Sequence, residues 1–385
     1  MTMKRILLFA FLVLTIASHV FAASAAIALS DNISLTLFPA DPIYQESRAY
    51  PFSNDFSFSF FASPKQEEYI VNKVLVTNPG VDQVSGRYKE YEVESLDLSD
   101  NIFWQLKAAT NVGFLRFSYK DIVEIEGYLH GGVNTVHGAY GAQDVLGHDG
   151  QYGAGVAIGL FDKLAIRVGF HHFSGHWGDE VLTEFYGDEF WSDSYNPPEK
   201  GPGKDFYKLT EYTRNNSTLI DVSYSPFKFF RVLAEFEIPE KSAWIRPAAH
   251  IPSDTLVPNS ENPLDERIYS QEGFKKGNDY PKSFQAYRIG LGAEFEYPID
   301  NIGYAYLAGD IQLHQDGKIN LETLEYEEDR PWDIEYTITA GFAFQMQDNM
   351  PELAIKLSYH DGRFPLLNYF FQESRYFSVG IGLVI

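Results

Sequence analysis

The stretch Leu164–Glu180, LAIRVGFHHFSGHWGDE, decides the fold. Leu164, Ile166, Val168 and Phe170 fall on one face of an extended chain, and Ala165, Arg167, Gly169 and His171 fall on the other. A period of two with one apolar face marks a strand in a sheet that is greasy on one side. At the same parity the apolar face runs on into His172, Ser174 and His176, so the strand ends in a patch of His, Ser, Asp and Glu. The residues on the opposite face then separate a soluble sandwich from a membrane barrel.

The same alternation recurs along the chain. Ile102, Trp104, Leu106 and Ala108 begin it, and Leu115, Phe117 and Tyr119 follow Asn111, which reads as a short first connection. Segments ending near Leu129, Leu160, Tyr224, Phe236, Tyr297, Leu313, Phe344, Tyr359 and Ile385 continue it, although the phase of Ile302–Leu313 is ambiguous. The non-apolar faces are rich in Gly and carry sparse charges of both signs, among them Arg167, Arg231, Glu235, Arg288 and Glu294. A sandwich turns a densely polar face to water, whereas a confined lumen needs small residues and charges that pair across it. The apolar faces also tend to end in Tyr, at positions 119, 152, 224, 297 and 359, as an interfacial girdle does. These features predict an all-β protein, a transmembrane antiparallel β-barrel of about twelve strands, within a range of about ten to fourteen. From residue 119 short connections (119–122, 161–163, 225–228, 298–301, 347–350) alternate with long ones (135–150, 175–215, 239–285, 314–332, 362–374). That rhythm predicts short periplasmic turns and long external loops.

Composition agrees with export to a membrane. The chain has 385 residues, 30 Lys and Arg against 53 Asp and Glu, 25 Tyr, 31 Phe and no Cys, with a formal charge of -23. Lys4 and Arg5 precede an apolar run, and small residues follow at Ala22 and Ala25, so residues 1–25 read as a secretory signal peptide. Residues 26–100 read as a periplasmic lead-in with room for one extra strand at FSFSFF (56–61), and residues 101–385 as the outer-membrane barrel. An acidic chain is a poor match for nucleic acid. The expected partners are outer-membrane lipid, lipopolysaccharide and the barrel assembly machinery. The last strand resembles the signal that machinery reads, departing from it by ending in Ile385 rather than an aromatic residue.

Three functions compete on these residues. The first is a structural or narrow-pore barrel whose lumen charges nearly fill it. The second is lipid-ester hydrolysis at the outer wall, with Ser174 as nucleophile, His172 as base and Glu184 among the acids available to orient it. His172-Phe173-Ser174 resembles the His-x-Ser element of the outer-membrane phospholipase A and the lipid A deacylase, but Gly175 stands where those proteins have Asn. The third is adhesion or ligand binding through the loops 175–215 and 239–285. A divalent cation, calcium above all, is the one cofactor the acidic groups suggest. His176, Asp179 and Glu180 form one candidate set near the rim, and the acidic loop around Glu325–Asp329 forms another. The plainest account of the same patch is an interfacial belt of His171, His172, His176 and Trp177, followed by a solvated acidic loop.

Phe38-Pro39-Ala40-Asp41-Pro42, the run His172-Phe173-Ser174-Gly175-His176-Trp177-Gly178-Asp179-Glu180 and Tyr359-His360-Asp361-Gly362 together resemble the domain of unknown function 1207 family. The family's central run is similar to His-x-Ser-Ser-His-x-Gly-Asp-Glu, and Gly175 departs from its second Ser. The resemblance spans nearly all of the chain after the signal segment. It implies a bacterial outer-membrane-type protein and brings no activity with it.

Overall fold

A computed structural model describes residues 25–63, 69–75, 92–96, 101–120, 122–138, 145–178, 214–239, 287–315, 332–344, 351–367 and 373–384. The strands are β1 Ala25–Ser30, β2 Ile33–Leu37, β3 Asp55–Ala62, β4 Tyr69–Leu75, β5 Glu92–Leu96, β6 Ile102–Tyr119, β7 Val123–Gly138 and β8 Val145–Leu160. The series continues with β9 Leu164–Trp177, β10 Arg214–Phe227, β11 Phe230–Pro239, β12 Arg288–Ile299, β13 Gly303–His314, β14 Asp333–Phe344, β15 Glu352–Arg363 and β16 Glu373–Val384. From β6 to β16 each strand pairs antiparallel with the next, and β3 closes the ring by pairing with both β16 and β6. The result is a closed barrel of twelve strands. Among the described residues β4 and β5 form a separate two-stranded sheet.

The wall alternates as the sequence demands. Val168, Phe170, Leu291, Ile338, Leu357 and Val379 are exposed on the outside, while Arg167, His171, Glu294, Thr339 and Asp221 are buried inside. An outward band of this extent would be unstable in water, so the surface is lipid-facing. The molecule is a membrane β-barrel of the outer-membrane type. Tyr119, Phe161, Tyr224, Phe227, Phe229 and Tyr297 ring the end that carries the short turns. One of those turns, Phe161-Asp162, has φ of 56° and 54°, the paired left-handed geometry of a type I′ hairpin turn.

The wall departs from the sequence expectation in three places. Residues 102–119 form one continuous strand with no connection at Asn111. Its register against β7 shifts between Gly113 and Leu115, so Phe114 is the extra residue of a β-bulge. A bulge flips side-chain parity just as a tight turn would, which is why the two are indistinguishable from periodicity. The twelfth strand is instead β3, whose Phe56, Phe58 and Phe60 face out while Ser57 and Ser59 face in. Finally, β7 and β8 extend to Gly138 and Val145, so most of the expected loop 135–150 is wall. Of the short connections, 347–350 lies outside the described residues, as do the acidic run 325–329 and most of the loops 175–215 and 239–285.

Glycines on the inner face let large side chains lie flat across neighbouring strands. A Cβ at Gly169 would sit 2.3 Å from the Tyr128 hydroxyl and 2.4 Å from the carbonyl oxygen of Ala154, and one at Gly155 would sit 2.2 Å from the carbonyl of Val168. Tyr128, only 1% exposed, occupies the space these glycines vacate.

Candidate functional site

The lumen is occupied by the chain's own N-terminal segment. On β6, Leu37 of β2 lies opposite Leu115 and Phe56 of β3 lies opposite Ala108. Those positions are about 23 Å apart at strand spacing. The chain uses residues 38–55 to cover that distance and spends the surplus inside the barrel. Pro39 and Pro42 start the departure, since neither can extend the β2 ladder.

Once inside, the segment sweeps around the wall. Arg116 of β6 donates to the carbonyl of Asp41, and Glu126 of β7 accepts from the Ile43 amide at 3.1 Å. Glu46 meets Arg167 of β9 at 2.5 Å, and Arg231 of β11 donates to the carbonyls of Gln45 and Glu46 at 3.0 and 3.2 Å. Arg48 pairs with Glu296 of β12 and donates to the Tyr304 hydroxyl of β13 at 2.8 Å, while its amide donates to Glu294 at 2.5 Å. Phe52 then packs edge-on against Phe173 of β9, with ring centroids 5.5 Å apart. Lys107 of β6 donates to Ser53 at 2.8 Å, and Asn54 accepts from the Asn111 amide at 3.1 Å as the segment rejoins the wall. Burial, reinforced by the charges of Glu235 and Glu237, holds the Tyr50 phenol well above its ordinary pKa, so it stays neutral within this network.

All five expected lumen charges face inward. Arg167 is 2% exposed, bridges Asp221 and Glu46 at 2.5 Å each, and lies over the Tyr44 ring at 4.3 Å. Arg231 pairs with Glu294 at 2.5 Å, Arg288 lies 5.8 Å from the Phe173 ring centre, and Glu235 lines a small cavity beside Tyr44 and Tyr50. The sequence supplied these wall charges, but not the plug residues Glu46, Arg48, Tyr50 and Phe52 that many of them meet. A signal was present in hindsight: an aperiodic lead-in of the periplasmic kind has little use for Tyr44, Tyr50 and Phe52, which are apolar enough to need burial.

The rim patch is arranged differently from the expected dyad. His172 does face outward, its ring tilted against Tyr152 with centroids 4.6 Å apart, but its Nδ1 is engaged by Asn216 Oδ1 at 2.6 Å. Ser174 Oγ contacts His176 Nε2 at 3.2 Å, so the serine is held by His176 rather than by His172. His171 points inward, against Glu237 at 2.5 Å, because its parity is that of the lumen face. His176 stacks on His148 at 4.7 Å. Glu184, Asp179 and Glu180 lie outside the described residues. Among the described residues no group of three or more His, Asp or Glu side chains is placed to hold a metal ion.

No family model matches the chain, and no curated protein matches it. Solved membrane barrels do resemble it. The NanC porin is 9% identical over 86% of this chain and 100% of that one, with a TM-score of 0.37. A Pseudomonas aeruginosa FadL homologue is 10% identical over 90% and 95% of the two chains, with a TM-score of 0.34. The outer membrane channel DcaP of Acinetobacter baumannii is 7% identical over 93% and 99%, with a TM-score of 0.28. Likenesses this loose carry no argument about what this barrel does.

Proposed function

We propose that this protein is a narrow pore of a bacterial outer membrane, closed at rest by its own N-terminal segment. Residues 1–25 direct export, the assembly machinery inserts the barrel, and outer-membrane lipid and lipopolysaccharide surround it. Membership of the domain of unknown function 1207 family, carried by His172–Glu180 and Tyr359–Gly362, belongs to the same proposal.

One observation carries it: residues 38–54 cross the lumen and are fastened by charge to four walls, through Arg116, Arg167, Arg231 and the Glu294–Glu296 pair. Barrels of about eight strands are filled by their own wall side chains, whereas twelve strands enclose a wider lumen, and here the inserted segment closes it. Polar fastenings suit a plug that moves, because every group they release can be rehydrated.

The test is single-channel conductance in planar bilayers. Wild type is compared with a variant in which residues 40–52 are replaced by a short Gly-Ser linker, folding being checked by heat-modifiable gel mobility. The shortened variant is expected to conduct steadily and the wild type in brief, infrequent openings. A folded variant as tight as wild type refutes the pore.

A further inference from the structure

Beyond the plug, toward the long-loop end, the lumen opens into a cavity of about 140 Å³. Its floor is Arg48–Phe52, and its roof is the segment Phe364–Leu367, which folds inward after β15. The roof is tied down: Asn134 donates to the carbonyl of Pro365 at 2.8 Å, and the Leu367 amide donates to Asp149 at 3.1 Å. At 10–15 Å³ of such space per water molecule, the cavity has room for roughly ten waters, the scale of a single sugar ring.

Its charge runs against that of the chain. The protein carries a formal -23, yet Lys107, Arg288, Lys356 and Arg363 line this cavity against the carboxylates Asp149 and Glu335. Lys107 and Lys356 come from opposite sides of β3 and rest on one carboxylate, Asp55, at 2.9 and 2.7 Å. Two ammonium groups on one carboxylate leave a positive charge that no protein group in that trio cancels. Glu335 is likewise shared, by Arg363 at 3.1 Å and His314 at 2.9 Å. Between these cations lie short neutral donors and acceptors: Ser57, Ser59, Gln105, Thr337, Thr339 and Ser358. Tyr50 and Phe173 supply flat apolar faces on the same cavity.

We infer that this chamber is a binding site for a small hydroxylated organic anion, a sugar ring bearing a carboxylate or a phosphate. The anionic group takes the uncompensated lysine charge, the hydroxyls take the Ser, Thr and Gln side chains, and one ring face lies on an aromatic side chain. A neutral sugar leaves the lysine charge unanswered, and a cation is repelled. This inference rests on the pore proposal only for how the solute arrives; occupancy of the site is measurable without any conduction.

Calorimetric titration of the full folded barrel in detergent tests it, using glucuronate, glucose 6-phosphate, glucose and glucosamine as probes. At least one of the two anions is expected to bind ten-fold or more tighter than glucose, which identifies carboxylate or phosphate as the preferred group, and glucosamine is expected not to bind. Lys356→Gln should weaken the anion ten-fold or more, while Lys356→Arg should keep it within about three-fold. Failure of both anions to bind, equal binding of glucose, or an unchanged Lys356→Gln overturns the site. Should Lys356→Gln fail to fold, Thr339→Val takes its place, with a two-fold or greater weakening expected and no change refuting. Binding without conductance removes the pore and keeps the chamber; conductance after plug removal without binding does the reverse.

Discussion

Replacing Arg167 by Met should open this barrel far more than Glu46→Gln, the matching change on the plug side of the same contact. Arg167 is fully enclosed, and its guanidinium is shared between Asp221 of the wall and Glu46 of the plug, each at 2.5 Å. Methionine keeps the aliphatic stem and leaves two carboxylates facing each other in a space with almost no solvent. Removing one partner of a buried pair typically costs about 3–5 kcal/mol, most of it the penalty of the stranded charge. Withdrawal of the plug hydrates Glu46 and admits water to Asp221, so the closed state bears most of that cost and the open state little. At a factor of ten per 1.4 kcal/mol, the open-to-closed ratio should rise by about two to three orders of magnitude, or until the pore is mostly open. Glu46→Gln is the calibrating control. It preserves the Arg167–Asp221 pair and exchanges a charge-assisted hydrogen bond for a neutral one, a loss of about 1–1.5 kcal/mol and a roughly ten-fold rise in opening. Both are read as open probability in planar bilayers, with Cys introduced at Phe52 and Phe173 and joined by a short bifunctional thiol reagent as the locked state; the chain has no cysteine of its own to interfere. Folded variants that open no more than wild type, or a Glu46→Gln effect larger than that of Arg167→Met, refute the reasoning. Openings that persist with the plug locked place the conducting path elsewhere.

Two further outcomes follow from the wall. Tyr128 is buried and its hydroxyl makes no hydrogen bond among the described residues, so Tyr128→Phe should be neutral or stabilising by up to about 1 kcal/mol in urea unfolding, whereas Gly169→Val should prevent folding by driving side-chain atoms into the carbonyl of Ala154. Comparable losses from both changes would show that the packing has been misjudged. At the rim, His172 is engaged by Asn216, and Ser174 is buried and held by His176, so the His172–Ser174 dyad is not formed. Refolded protein should therefore release no fatty acid from radiolabelled phospholipid or lipopolysaccharide, with or without calcium; turnover lost in both Ser174→Ala and His172→Ala would restore the hydrolase.

The legible part of this protein was the part governed by parity. In Leu164–Phe170 and in the matching segments through Ile385, each residue's face follows from its position, because lipid outside and a polar lumen inside impose opposite demands at alternate residues. Arg167, Arg231, Glu235, Arg288 and Glu294 were readable as lumen charges for that reason. Parity failed where something besides the strand reset it. The bulge at Phe114 shifted the pattern within β6 and so imitated a turn. In β13 the inner face carries Tyr304 and Tyr306, and with both faces apolar at that end the phase could not be told.

The sequence by itself determined the architecture: an antiparallel barrel wall with aromatic borders, small inner residues and charges of both signs. The tertiary structure decided what the wall encloses. Residues 38–54 have no period, and their destination depends on partners more than a hundred positions away, Glu46 on Arg167 and Arg48 on Glu296. The chamber beyond them likewise exists only where Lys107 and Lys356, distant in sequence, converge on Asp55. Local patterning fixes which way a side chain points. Only closure of the ring fixes what it meets there.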